Sequence, residues 1–155
     1  MNAINAVEFL IAAGYVAPTV VIPLAQNQSQ YGTDLSCVTD LDPSMAEVSG
    51  TILLAQACAR RLLTPRGTLI DDANYGYDLE QFLGADIAPA DVSQIQSSIQ
   101  KELLKDERIS DCTAVVTYTQ ATSVLVVKVQ VSGAAGPFTF VLTVSELAAT
   151  VVVSQ

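Results

Sequence analysis

The chain has 155 residues, 50% of them apolar, which suits one ordinary domain with a core of its own. Its charged fraction, 15%, is low against roughly 25% in typical globular chains, which hints at large protein–protein contacts. Sixteen acids outnumber seven bases for a net charge of −9. That balance argues against nucleic-acid binding, which needs clustered Lys and Arg, and against anionic membranes.

Residues 1–30 differ from the rest and read as an N-terminal arm or extension, with 31–155 as the folded domain. Ile4, Val7, Leu10 and Ile11 fall on one face of a short helix over 3–13. Pro18 and Pro23 frame a β-like piece, Thr19–Ile22, and residues 25–30 are a polar linker. The arm lacks the basic start of a secretory signal, and Glu8, Gly14 and the two prolines interrupt its apolar run, so neither a signal nor a membrane span is expected. Ordering against a partner and packing on its own domain both remain open for it.

Residues 31–42 form a loop or short extended stretch. Asp42-Pro43 has the pattern of a helix start, Asp as N-cap and Pro at the first helical position, and predicts a helix over 43–63. Val48, Ile52, Ala55 and Ala59 make its apolar stripe, Arg60 and Arg61 complement the dipole at its end, and Thr64-Pro65 stops it. A loop over 68–88 follows, with one helical turn at 79–83. Pro89 opens a second helix over 89–105, with Val92, Ile95, Ile99 and Leu103 as its stripe. From Asp111 the period changes to 2, giving strands at 113–119, 123–131, 137–144 and 150–153. The order predicts an α+β fold: two main helices packed on a C-terminal antiparallel sheet of three to four strands.

The chemistry available is narrow. With no histidine, Ser-His and Cys-His nucleophile systems cannot be built within the chain, and neither a cofactor motif nor metal-ligand spacing is present. Cys37, Cys58 and Cys112 are an odd, widely spaced set, read as reduced thiols of a bacterial-type cytoplasm. Glu80 with Asp71, Asp72 or Asp78 is the best carboxylate pair for a muramidase-type site, but a solvated acidic loop explains these residues more cheaply. The expectation is therefore a chain without catalytic residues, cofactor or metal. The C-terminal strands are β-prone and nearly uncharged, which suits an edge completed by another chain.

The densest pattern is Arg60 to Leu83. It combines Leu62-Leu63-Thr64-Pro65-Arg66-Gly67 with Tyr75-Gly76-Tyr77-Asp78-Leu79. With Thr33-Asp34-Leu35 and Asp106-Glu107-Arg108-Ile109, it resembles the phage baseplate wedge and tail-sheath initiator proteins of contractile tails, a family sometimes labelled lysozyme-like. The resemblance runs from about Tyr31 to Val144 and does not include the apolar arm. It implies a structural virion protein of the tail baseplate, assembled in the host cytoplasm. Such a protein links wedge to tube, and offers a sheet edge to the first sheath ring. The implied partners are the tail sheath protein, other baseplate wedge proteins and tube or hub proteins, with six copies per baseplate. Arg60, Arg61, Arg66, Tyr75, Tyr77, Leu147, Val151, Val152 and Val153 are the residues expected at partner contacts. The alternatives are a peptidoglycan hydrolase using Glu80 and a nearby Asp, or an adaptor of a non-contractile tail.

Overall fold

The computed structural model describes residues 31–37, 43–85, 87–145 and 148–154. The expectations for the arm, the Asp42 cap and Leu147 lie outside them.

The fold begins with a two-stranded ribbon, β1 (Thr33–Leu35) against β2 (Glu47–Ser49), and β2 leads into helix α1 (Gly50–Leu63). A loop with a 3-10 turn at Leu79–Phe82 connects α1 to α2 (Pro89–Leu103). Four strands follow: β3 (Ile109–Thr119), β4 (Val124–Gly133), β5 (Gly136–Val144) and β6 (Ala149–Ser154). They form an antiparallel sheet in the order β3-β4-β5-β6, so chain neighbours are sheet neighbours throughout. The expected α+β architecture is the one observed.

Helix α1 starts seven residues later than Pro43 suggests. The reason is tertiary: Thr33, Asp34 and Leu35 pair with Ser49, Val48 and Glu47, which holds 47–49 extended. The left-handed φ of +64° at Gly50 then turns the chain into the helix, a conformation that suits glycine. Ser49 supplies no side-chain cap. At α2, Ala88 has no side chain to cap with, yet its N–H donates to the Asp91 carboxylate at 3.2 Å. Acidic Asp91 in the first turn also suits the dipole.

The sheet alternates cleanly. Leu125, Val127, Val129 and Val131 of β4, and Phe138, Phe140, Leu142 and Val144 of β5, face inward and are buried. The helices cover that face. α2 packs over β3, while α1 packs over β5 and β6. Leu54, Leu62, Ile99 and Leu103 are fully buried against it. Each such side chain contributes roughly 1.5–3 kcal/mol of transfer free energy. The β4–β5 connection is tighter than the five residues expected: Gly133 pairs with Gly136, leaving Ala134 and Ala135 as the turn. Tyr31 seals this end, its hydroxyl accepting a 2.9 Å hydrogen bond from the Ala135 N–H.

The segment 31–37 is also stitched to α1. Buried Gln56 donates from Nε2 to the Leu35 carbonyl at 2.9 Å and accepts from the Cys37 N–H at 2.8 Å. Arg60 pairs with Asp34 at 2.8 Å across the surface.

Candidate functional site

Glu102 organises the most sequence-distinctive part of the molecule. It sits near the C-terminus of α2, seven residues after Ile95 and three after Ile99, on the face that packs inward. It is 1% exposed. A buried carboxylate must be paired and hydrogen-bonded, and this one is saturated. Its Oε1 accepts from Arg61 Nη1 at 3.3 Å and from the Gly76 N–H at 3.1 Å. Its Oε2 accepts from Arg66 Nη2 and from Lys105 Nζ, both at 2.7 Å.

These four donors come from the end of α1, the Thr64-Pro65-Arg66-Gly67 stretch, the Tyr75-Gly76-Tyr77 stretch and the turn after α2. Further bonds tighten the clasp. Arg66 Nε donates to the Gly76 carbonyl at 3.0 Å, Lys105 Nζ to the Asn74 carbonyl at 2.8 Å, and the Tyr77 N–H to the Arg61 carbonyl at 3.2 Å. The Arg61 guanidinium lies 4.2 Å from the centre of the Tyr75 ring, a cation–π contact. Burial raises the Tyr75 phenol above its ordinary value, against the opposing pull of Arg61. Tyr77 packs on Phe82 with ring centres 5.8 Å apart. Gly76 has φ +101°, and a Cβ there would land on the Thr64 carbonyl.

Arg60 is held by Asp34, and Arg61 and Arg66 by Glu102. The sequence reading missed Glu102. The available signal was an acid at a stripe position of an amphipathic helix in a chain with an Arg-rich motif elsewhere. The acidic loop is solvated: Asp71, Asp72 and Glu80 are exposed. Among the described residues no group of three or more His, Cys, Asp or Glu is placed to hold a metal.

The second feature is the sheet edge. β6 pairs with β5 from Ala149–Val144 to Ser154–Thr139 and, among the described residues, ends the sheet. Val151 and Val153 point into the core at 2% and 3% exposure, so they have only backbone to offer a partner. Thr150, Val152 and Ser154 face outward, Val152 at 40% exposure. Of the expected contact residues that the structure describes, Arg60, Arg61, Arg66, Tyr75 and Tyr77 lie on α1 and the loop after it, and Val151, Val152 and Val153 on β6.

Residues 30–136 match the family model of the contractile injection system sheath initiator. The chain belongs to that family. Membership gives it a structural role in a contractile tail, in contact with sheath and other components of the machine. The matched stretch contains the whole clasp. It stops at the first residue of β5, so β6 lies beyond it. No curated protein matches the chain. Among the described residues no helix is long and apolar enough to cross a membrane.

Proposed function

We propose that this initiator starts sheath assembly by offering the outer edge of β6 to a strand of the first sheath ring, while its helical side joins the baseplate wedge around the tube. The observation that carries this is the contrast between the two edges of the sheet. The β3 edge has a register irregularity between Ile109 and Asp111 and an acid at Asp111, both of which discourage strand addition. β6, reading ATVVVS, has no charge, no proline and no irregularity in its pairing with β5. Among the described residues nothing pairs with the outer side of β6, and an edge of this kind is a template for another chain's strand, with main-chain hydrogen bonds giving affinity.

Deleting β6 is a poor test, because Val151 and Val153 belong to the core. The better variant is Thr150→Lys with Val152→Lys, which places charge on the outward positions alone. It is expected to keep the melting temperature within a few degrees and to lower capture of sheath protein in a pull-down at least tenfold. Undiminished capture by the folded variant would remove the edge mechanism. The reading is non-enzymatic, so the purified protein is expected to release no sugar from peptidoglycan. Release abolished by Glu80→Gln would replace it with the hydrolase alternative.

A further inference from the structure

Three of the seven basic residues of the chain converge on one cleft of about 470 Å³ between α2 and the clasped loop. Its walls are Arg66, Tyr77, Ser98, Lys101, Glu102 and Lys105. Three cations against one carboxylate give the lining a net charge of +2, on a chain whose net charge is −9.

The clasp leaves much of this cationic capacity unspent. Arg66 uses Nε on Gly76 and one Nη2 hydrogen on Glu102, and its side chain is 51% exposed. Three of its five N–H groups remain. Lys105 uses two of its three on Asn74 and Glu102. Lys101 is exposed and makes no ion pair among the described residues. The half-buried Ser98 hydroxyl and the Tyr77 side chain complete the walls. Glu102 fixes Arg66 and Lys105 from below, so their remaining donors are pre-oriented.

We propose that this cleft receives the carboxylates of an Asp- or Glu-rich segment of a partner protein. It rests on the reading that the initiator works through protein contacts, but not on the β6 edge. Oriented guanidinium and ammonium donors match carboxylates, and charge complementarity of this kind sets partner choice and encounter rate. The volume suits one or two side chains. A peptide can place one or two carboxylates in the cleft and neutral groups beyond it, whereas a nucleic-acid strand carries a phosphate at every residue onto a surface of net negative charge.

The test is a ¹⁵N NMR titration of the full chain with hexaglutamate, beside hexalysine and a six-nucleotide thymidine DNA strand. Hexaglutamate is expected to shift the amides of Tyr77, Ser98, Lys101 and Lys105 saturably, with hexalysine leaving them in place. Lys101→Glu is expected to weaken binding about tenfold, and Lys101→Ala less, without disturbing the rest of the spectrum. Absence of localised shifts, unchanged affinity of Lys101→Glu, or tighter binding of the DNA strand at the same residues would each overturn the proposal. The Thr150→Lys, Val152→Lys variant should titrate like the wild type, which separates failure of the cleft from failure of the edge.

Discussion

Arg66 Nη2 meets Glu102 Oε2 at 2.7 Å across 36 residues of sequence, and the two partners are unequally placed. Arg66 is 51% exposed, while Glu102 is 1% exposed and holds three further donors. Losing either partner should therefore have unequal consequences. Glu102→Ala strands the half-buried Arg61 guanidinium and the buried Gly76 N–H, and is expected to cost about 3 kcal/mol in urea unfolding. Arg66→Ala leaves Glu102 with Arg61, Lys105 and Gly76, and should cost only about 1 kcal/mol. Equal costs for the two variants would mean that Glu102 is not the hub.

Gly76 is sterically committed. Its φ of +101° and the closeness of the Thr64 carbonyl leave no room for a Cβ, and its N–H must still reach Glu102. Gly76→Ala is expected to lower stability by at least about 2 kcal/mol, from backbone strain and the displaced bond together. Gly67 has a similar φ of +87° but open space around it, so Gly67→Ala should cost less. Thermal melts of the two variants, run side by side, decide the point.

The cysteines separate by burial. Burial pushes the Cys58 thiol up to about 12, with nearby Asp106 adding to the shift, and pushes Cys112 up to about 11, with Asp111 adding to it. Cys37 is half-buried. A thiol reagent at about pH 8 is expected to modify Cys37 in the native protein and the other two only on unfolding, since the thiolate is the reactive form. Both raised values also bear on stability. The contribution of each thiol is fully present below its unfolded value of 9.0 and is lost as pH rises through the folded one. Unfolding free energy should fall between about pH 9 and 12. Cys58→Ala should flatten that fall, and an unchanged slope would contradict this account.

Asp106 behaves in the opposite sense. The Arg108 side chain, donating at 2.8 and 2.6 Å, holds its carboxyl below the ordinary 3.8. A depressed carboxyl contributes stability above its unfolded value, and that contribution disappears as pH falls through the folded one. The turn between α2 and β3 should therefore loosen below about pH 4. Asp106→Asn should show a shallower acid limb in a pH series of urea midpoints, and an identical limb would refute the assignment.

Periodicity, with prolines marking helix ends, located both helices and all four strands of the main sheet, because long amphipathic stripes and alternating runs each bury only one way. Shifts came at the ends. The α1 start lost to pairing between residues 33–35 and 47–49, a contact that no local window contains. The strands ran further than expected, because a ladder continues for as long as its neighbour does. The motif from Thr64 to Leu79 was visible as unusual, but its purpose was not. Nothing in the spacing of these arginines and tyrosines points to Glu102, whose bonds to Arg61, Arg66 and Gly76 arise only in the fold.

The sequence by itself determined the α+β order, the apolar faces and the family, since these depend on spacing and on residue types along the chain. The tertiary structure alone decided which charges meet. It placed Glu102 beneath Arg61, Arg66, Gly76 and Lys105, brought Lys101 beside them, and put Val152 outward between two buried valines on the last described strand of the sheet. Electrostatic pairing depends on distances in space across tens of residues, and a free sheet edge depends on which strand lacks a neighbour. Neither quantity exists until the chain has folded.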